Sequence, residues 1–209
     1  MGLSEILQEI TREIELDDEV REKVLPLARS AVRLCGESIK KSHRGQFDEA
    51  RRLIQEAQNT IMDAEKELSR SRFLSQSRPL DTSYQELAEA ANLLSILDNG
   101  SFTEPSKHDI PSRPYLTGLA DTIGELRRAT LDCLRSDNVR KAENLLSTME
   151  EILEGLGAID YPHALVPELR RKCDIGRGVV ERTRGDVTTA VRQEKLVGEL
   201  SKFERKKED

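Results

Sequence analysis

The sequence predicts an all-α protein, and three observations lead to that prediction. Apolar residues recur at intervals of three and four along most of the chain, the spacing that places them on one side of a helix. Aromatic residues make up 3% of the sequence and Trp is absent, which disfavours a sheet that depends on aromatic and β-branched pairs. No segment shows the alternation of a strand. We expect one domain of about six to seven helices over residues 1–200, followed by a charged, disordered tail over 201–209.

Two helices are expected before residue 45. The first, over residues 3–16, carries a row of leucines and isoleucines at helical spacing. Asp17 and Asp18 then offer side-chain oxygens that suit the N-terminal cap of a longer helix. Pro26 marks a kink or a break near the start of that helix. Its end is expected at Gly45, after a basic last turn that complements the helix dipole.

Two further helices are expected on either side of a connection in the middle of the chain. The helix over 47–72 has small and branched apolar residues on one face and charges on the others, which is typical of one wall of a bundle. Residues 73–82 form the connection. A polar residue of 81–83 caps the next helix, which is expected over 83–98.

The second half of the chain predicts one loop and three helices. Residues 99–112 are rich in Gly, Pro, Ser and Asp and form the clearest loop. Helices are expected over 113–136 and 137–155, the first with a proline near its first turn. A last long helix is expected after Asp160–Pro162 and as far as about residue 200, with Pro167 starting or kinking it.

Composition limits the surroundings and the partners of the chain. Charged residues make up 34% of the sequence, and long charged helices bury their remaining apolar surface best against other subunits, so we expect an oligomer. The net charge of -6 argues against a uniformly basic nucleic-acid surface, although a local basic stripe remains open. Three cysteines without CxxC spacing are typical of reduced thiols. No signal peptide and no apolar run of about 18 residues occurs, which predicts a soluble, cytoplasmic protein without a membrane segment.

Two acidic pairs are the candidate chemical groups. In the segment YQELAEA, Glu86 and Glu89 are three residues apart and flank the apolar face of their predicted helix. Asp121 and Glu125 lie on the polar side of a later helix. Solvated acids with ion pairs inside each helix are the simpler interpretation, and it stays open. If the pairs face each other across a cleft, their hard oxygen ligands suit Mg²⁺ or Mn²⁺, which activate water for attack on a phosphodiester.

Other common catalytic centres are not supported by the sequence. Di-iron bundles use Glu-x-x-His motifs, and none of His43, His108 and His163 follows a glutamate at that spacing. The nucleophile motif G-x-S-x-G, the Walker loop and G-x-G-x-x-G are also absent from the sequence.

A basic row lies on the last predicted helix. Arg170, Arg177 and Arg184 recur at seven-residue intervals and therefore share one side of it. Arginine binds phosphate groups through two hydrogen bonds, so the row is a candidate phosphate track. Ordinary surface ion pairing is the open alternative.

Four stretches of the sequence resemble the translin superfamily, and they occur in the order that the family has. The resemblance covers about residues 18–190 and is closer to Trax-like subunits than to translin itself. The four stretches are REKVLPLARSAVRLCGESIKKSHRG, YQELAEA, YLTGLADTIGELRR and LRRKCDIGRGVVERTRGDV.

The resemblance implies an all-α helical bundle that assembles into a closed shell, commonly an octamer, and binds single-stranded DNA or RNA. Trax-like subunits are metal-dependent endoribonucleases whose acidic residues stand in a Q-E-x-x-E-A and a G-x-A-D-x-x-G-E segment. The positions that match these segments here are Glu86, Glu89, Asp121 and Glu125. The resemblance therefore implies that these four residues hold Mg²⁺ or Mn²⁺ and are catalytic.

The chain is shorter at its start than a typical Trax subunit and has no nuclear-localisation run there. This predicts a minimal homologue that forms a homo-octamer or a similar closed shell without a separate translin partner. We expect a metal-dependent endoribonuclease that binds RNA inside the shell. A non-catalytic, translin-like oligomer that binds single-stranded DNA or RNA is the alternative. The side chains predicted to contact the RNA backbone are Arg170, Arg177, Arg184, Lys40, Lys41 and Arg44.

Overall fold

Seven α-helices and one short 3-10 helix make up the part of the chain that the computed structural model describes, residues 2–159, 166 and 168–208. These residues include no strand, so the predicted all-α fold class is confirmed. The helices are α1 (Leu3–His43), α2 (Phe47–Leu68), α3 (Arg72–Ser77), α4 (Asp81–Asn99), α5 (Ser112–Arg135), α6 (Val139–Gly157) and α7 (Leu169–Glu208), with the 3-10 helix at Pro105–His108.

Helix α1 is continuous where the sequence predicts two helices. Asp17 does not cap a second helix, and that prediction is wrong. Its Oδ1 atom instead accepts a hydrogen bond from the Ser71 hydroxyl at 2.6 Å. Pro26 lies inside the helix at an exposed position, although it has no N–H to donate to the carbonyl four residues earlier.

Both predicted connections contain short helices. The connection predicted over 73–82 contains most of α3, which forms because the Ser71 side chain accepts a hydrogen bond from the backbone N–H of Leu74 at 2.9 Å. In the loop over 99–112, Pro105 starts the 3-10 helix, since its missing N–H costs little in a first turn.

Helix α7 continues to Glu208, although the sequence predicts a disordered tail from residue 201. The stretch 201–208 is rich in Lys, Glu and Arg, which are good helix formers, and Lys202 pairs with Glu199 at 2.7 Å. The turn expected at Asp160–Pro162 and the role expected of Pro167 lie outside the described residues.

The chain separates into two compact units, residues 1–118 and 119–209, with the division inside α5. The expected single domain over residues 1–200 stays a prediction. In the first unit α1, α2 and α4 pack against one another around Val20, Ile61 and Leu87, all at most 1% exposed.

The second unit contains the rest of α5 together with α6 and α7. Its core includes Leu126 of α5, Met149 of α6 and Val180 of α7, each at most 1% exposed. Within the described part of the chain, no helix is both long and apolar enough to cross a membrane.

Candidate acidic site and its basic surroundings

Glu86 and Glu89 lie on α4 in the first unit, and both are half-buried. Their neighbours Leu87, Ala88 and Ala90 are fully buried. The two carboxylates therefore flank the buried face of the helix, as their rotation around the helix axis predicts.

The negative charge of this pair affects the pKa of the Cys35 thiol on α1. Burial of the thiol, reinforced by the charges of Glu86 and Glu89, raises the pKa of Cys35 to about 12. The side chain of Cys35 is 0% exposed. The two carboxylates thus act on the α1 side of α4, a neighbourhood that the spacing of the sequence does not indicate.

This pKa predicts how the thiols react with a disulfide reagent. At pH 8 Cys35 has almost no thiolate, the reactive form, because its pKa is about 12, and its thiolate fraction rises only as the pH approaches that value. Cys133 is only partly buried. We expect the reagent at pH 8 to modify Cys133 in the native protein and Cys35 only after unfolding. Peptide mass mapping checks this, and modification of both thiols at the same rate would contradict it.

Gly118 brings the start of α5 against the backbone of α4 within the first unit. A Cβ atom at this position would lie 2.3 Å from the carbonyl oxygen of Gln85 and 2.7 Å from the Cβ atom of Ala88. Only glycine permits such an approach, because a side chain there meets backbone that has no room to move. The close contact is made at the residue that precedes Glu86.

In the second unit, Asp121 of α5 binds Lys172 of α7. The ammonium nitrogen of Lys172 is 2.6 Å from Oδ1 and 2.7 Å from Oδ2, so that it contacts both carboxylate oxygens. The side chain of Lys172 is 13% exposed and that of Asp121 is 28% exposed. A pair this sheltered is held more firmly than a surface ion pair.

A groove of about 310 Å³ runs beside this pair in the second unit. Asp121, Arg171 and Lys172 supply its charged lining. Gly176 also lines it and lets α7 approach α5 closely, since a Cβ atom there would lie 3.1 Å from Cδ1 of Ile123. One carboxylate and two basic side chains therefore share one groove.

Glu125 stands one turn after Asp121 on α5, and its side chain is 27% exposed. It lies 3.9 Å from Arg128, at the outer limit of an ion pair, and Asp132 pairs with Arg135 at 3.4 Å. Ion pairs within the helix thus occur along the polar side of α5, as expected if its acids are solvated and paired inside the helix.

Comparisons with known proteins agree with this fold. No protein-family model matches the sequence. The chain is 35% identical over 189 residues to "Uncharacterized protein MJ0175" of Methanocaldococcus jannaschii, covering 90% of this chain and 83% of that protein. It is also similar to AfC3PO in a complex with duplex RNA, with a TM-score of 0.80, 28% identity and coverage of 90% of this chain and 97% of that one. The chain belongs to the translin superfamily.

Two further translin-type structures agree with the fold. The crystal structure of AfC3PO matches this chain with a TM-score of 0.78 and 28% identity, over 90% of this chain and 97% of that chain. Apo-NeC3PO gives a TM-score of 0.77 at 18% identity, covering 91% and 98%, and supports the fold alone. The predicted translin-like, Trax-like recognition and the translin-like helical bundle are confirmed.

The predicted arginine row of this translin-family chain lies on α7, and all three side chains are exposed. Arg184 binds Glu150 of α6 at 2.7 Å and Glu181 at 2.7 Å, and Arg177 binds Asp174 at 3.0 Å. Successive residues of a helix are rotated by about 100°. The arginine row therefore lies on one side of the buried stripe of α7, and Lys172 lies on the other side. Lys172 meets α5 and Arg184 meets α6. The role of the row in RNA binding stays a prediction.

The predicted basic cluster at the end of α1 also carries ion pairs. Lys40 binds Glu37 at 2.7 Å, and Lys41 binds Glu49. The hydrogen bond from Lys40, followed by the nearby positive charges that include Arg44, lowers the pKa of Glu37. The RNA contacts proposed for Lys40, Lys41 and Arg44 stay predictions.

The described residues contain no group of three or more His, Cys, Asp and Glu side chains that could hold a metal ion. This finding does not conflict with the donor set, because Mg²⁺ is often held by one or two carboxylates together with water and substrate phosphates. Each acidic pair suits that mode of binding. At Asp121 a cation, the Lys172 ammonium group, already occupies both oxygens, which shows that this carboxylate accepts positive charge.

Proposed function

We propose that the protein is a cytoplasmic, Mg²⁺- or Mn²⁺-dependent endoribonuclease that hydrolyses RNA inside a homo-oligomeric shell. RNA as the ligand is supported by the similarity to AfC3PO, which was determined in a complex with duplex RNA. We therefore expect the protein to bind duplex RNA as well as single strands. The catalytic part of the proposal rests on the side chains around Asp121.

The observation that carries the proposal is the groove that Asp121 shares with Arg171 and Lys172. The carboxylate of Asp121, which can bind a cation, lies there beside two basic side chains that can bind a phosphate group. Hydrolysis of a phosphodiester needs both functions, since positive charge must offset the charge on the phosphate while an attacking water is held nearby.

The two acidic pairs, Glu86 with Glu89 and Asp121 with Glu125, are the proposed ligands of the divalent ions. A bound ion would lower the pKa of a water molecule and would offset negative charge on the phosphodiester. Lys172 then exchanges its contact with Asp121 for a contact with the RNA phosphate, so that its charge stays paired. Arg171, which is exposed at the edge of the groove, contacts the RNA backbone.

One observation favours the second candidate function, a non-catalytic oligomer that binds single-stranded DNA or RNA. Both oxygens of Asp121 accept a hydrogen bond from Lys172, so a divalent ion has to compete with an ammonium group for this carboxylate. In that case Asp121 only positions Lys172 for contact with nucleic-acid phosphates.

Cleavage of labelled RNA separates the two candidates. Duplex and single-stranded RNA are incubated with the protein in Mg²⁺, in Mn²⁺ and in EDTA, and the products are resolved on a denaturing gel. The nuclease proposal predicts internal cuts in either ion and intact RNA in EDTA. Binding of RNA without any cleavage in the two ions would support the second candidate and overturn the first.

The groove also predicts which arginine matters more for RNA binding. Arg171→Ala removes a side chain of the groove, whereas Arg177→Ala removes an arginine that does not line it. Both arginines are exposed and have ion pairs within α7 or at its start, Arg171 with Glu168 at 4.0 Å and Arg177 with Asp174 at 3.0 Å. We expect the first change to weaken RNA binding about 10-fold and the second about 2-fold, because a phosphate contact by arginine is worth about 1 to 2 kcal/mol. Fluorescence anisotropy at one fixed salt concentration measures both. A larger loss for Arg177→Ala would place the RNA along the arginine row.

A further inference from the structure

The two ends of the chain expose rows of large apolar side chains. We call residues 3–16 of α1 the α1 arm and residues 192–205 of α7 the α7 arm. Exposed side chains of the α1 arm are Leu3 (72%), Leu7 (52%), Ile10 (47%) and Ile14 (61%), and those of the α7 arm are Leu196 (60%), Leu200 (55%) and Phe203 (61%). Such rows are uncommon on a monomeric protein and mark interaction surfaces.

Both rows have the spacing of paired helices. These four residues of the α1 arm follow one another after four, three and four positions, and the three of the α7 arm after four and three. Ile6, Leu16 and Val197 are further exposed apolar residues of the arms. Alternation of three and four positions keeps apolar side chains on a single seam, which is how two helices pack side by side in a coiled coil. Each arm therefore fits another helix.

The charges of the arms decide which helix fits. The α1 arm contains four acidic side chains and one basic one, a net charge of -3. The α7 arm contains four basic and three acidic ones, a net charge of +1. Pairing of two α1 arms would bring like charges together, whereas an α1 arm and an α7 arm attract each other.

We propose that the α1 arm of one copy docks on the α7 arm of a second copy, so that subunits join head to tail. Such a contact uses two different surfaces, and repeating it generates a ring when the rotation between subunits closes. This inference deepens the assembly part of the proposed function and names the surfaces that form the junction. It does not depend on the nuclease activity.

Two substitutions and their mixture test the junction. Ile10→Asp places a charge in the α1 arm, and Leu200→Asp places one in the α7 arm. Phe73→Asp is the matched control, since Phe73 is 66% exposed but lies on α3 outside both arms. Native mass spectrometry measures the mass of each assembly, and circular dichroism checks that its helical content is unchanged. Ile10→Gln and Leu200→Gln replace the Asp variants if either of those loses helix.

We expect the wild type and Phe73→Asp to share one mass well above the 23.6 kDa of a single chain. Each arm variant alone should lose that mass. An equimolar mixture of the two should form a complex with one copy of each, because Ile10→Asp keeps its α7 arm and Leu200→Asp keeps its α1 arm. A single-chain wild type, an arm variant of wild-type mass or a mixture without mixed complexes would each overturn the proposal. The readout is mass, so its failure is distinguishable from a failure of the nuclease proposal.

Discussion

Replacing Glu89 by Gln or Asp121 by Asn is expected to abolish RNA cleavage and to leave RNA binding intact. Either change removes a negative charge from a proposed ligand of the divalent ion and keeps the shape of the side chain. We expect a fall in the single-turnover cleavage rate of about 100-fold or more, the loss seen when one electrostatic group is removed from a reacting centre. Gel assays of cleavage and anisotropy measurements of RNA binding are made on the same preparations.

Asparagine is the right replacement for Asp121 because of Lys172. Alanine would leave the Lys172 ammonium group, only 13% exposed, without its acceptor, and the loss of a sheltered ion-pair partner destabilises a fold. Asparagine keeps one oxygen for the lysine. Glu56→Gln is the control, since Glu56 is an exposed acid of α2. The assignment fails if both site variants cleave RNA as fast as this control.

Gly118→Ala is expected to have the largest effect on stability. The added Cβ atom would lie 2.3 Å from the carbonyl oxygen of Gln85, and since that atom is backbone, α4 and the start of α5 must separate. Overpacking typically destabilises a protein by about 1 to 3 kcal/mol, and the upper end of that range lowers the melting temperature of a chain of this length by roughly 10 °C. Urea and thermal unfolding measure it. Cleavage should fall as well, because the contact adjoins Glu86.

Gly36→Ala is the matched control on α1, where a Cβ atom would meet nothing within 4 Å. Alanine there should stabilise the protein by up to about 1 kcal/mol, because it favours the helix more than glycine does. Equal stabilities of the two variants would rule out the close approach at Gly118.

The helices could be predicted from the sequence, since apolar periodicity is a local property that survives packing. The errors concern contacts between distant residues. Asp17 has the chemistry of a cap, but its partner is Ser71, which lies 54 residues away. The helix α3 forms because Ser71 caps it, whereas apolar spacing alone places that serine inside the helix predicted over 47–72. Cap residues have several possible partners, and only the fold selects one.

Some features of the candidate site could likewise be predicted from the sequence, and others could not. The position of Glu86 and Glu89 beside a buried face follows from rotation around the helix. The contact between Asp121 and Lys172 spans 51 residues and cannot be obtained from spacing within either helix. A partial signal exists, because Lys172 precedes the buried Cys173 and flanks the apolar stripe of α7. Rotation around the helix can place a basic side chain beside a buried face, but it cannot identify the partner of that side chain.

Binding of Mn²⁺ tests most directly whether the acidic pairs hold a divalent ion. Electron paramagnetic resonance counts the free Mn²⁺ during titration of the wild-type protein and of a variant with both Glu89→Gln and Asp121→Asn. We predict that the wild type binds the ion and that the double variant loses this binding. Equal binding of Mn²⁺ by the two proteins would contradict the assignment of these carboxylates as ligands.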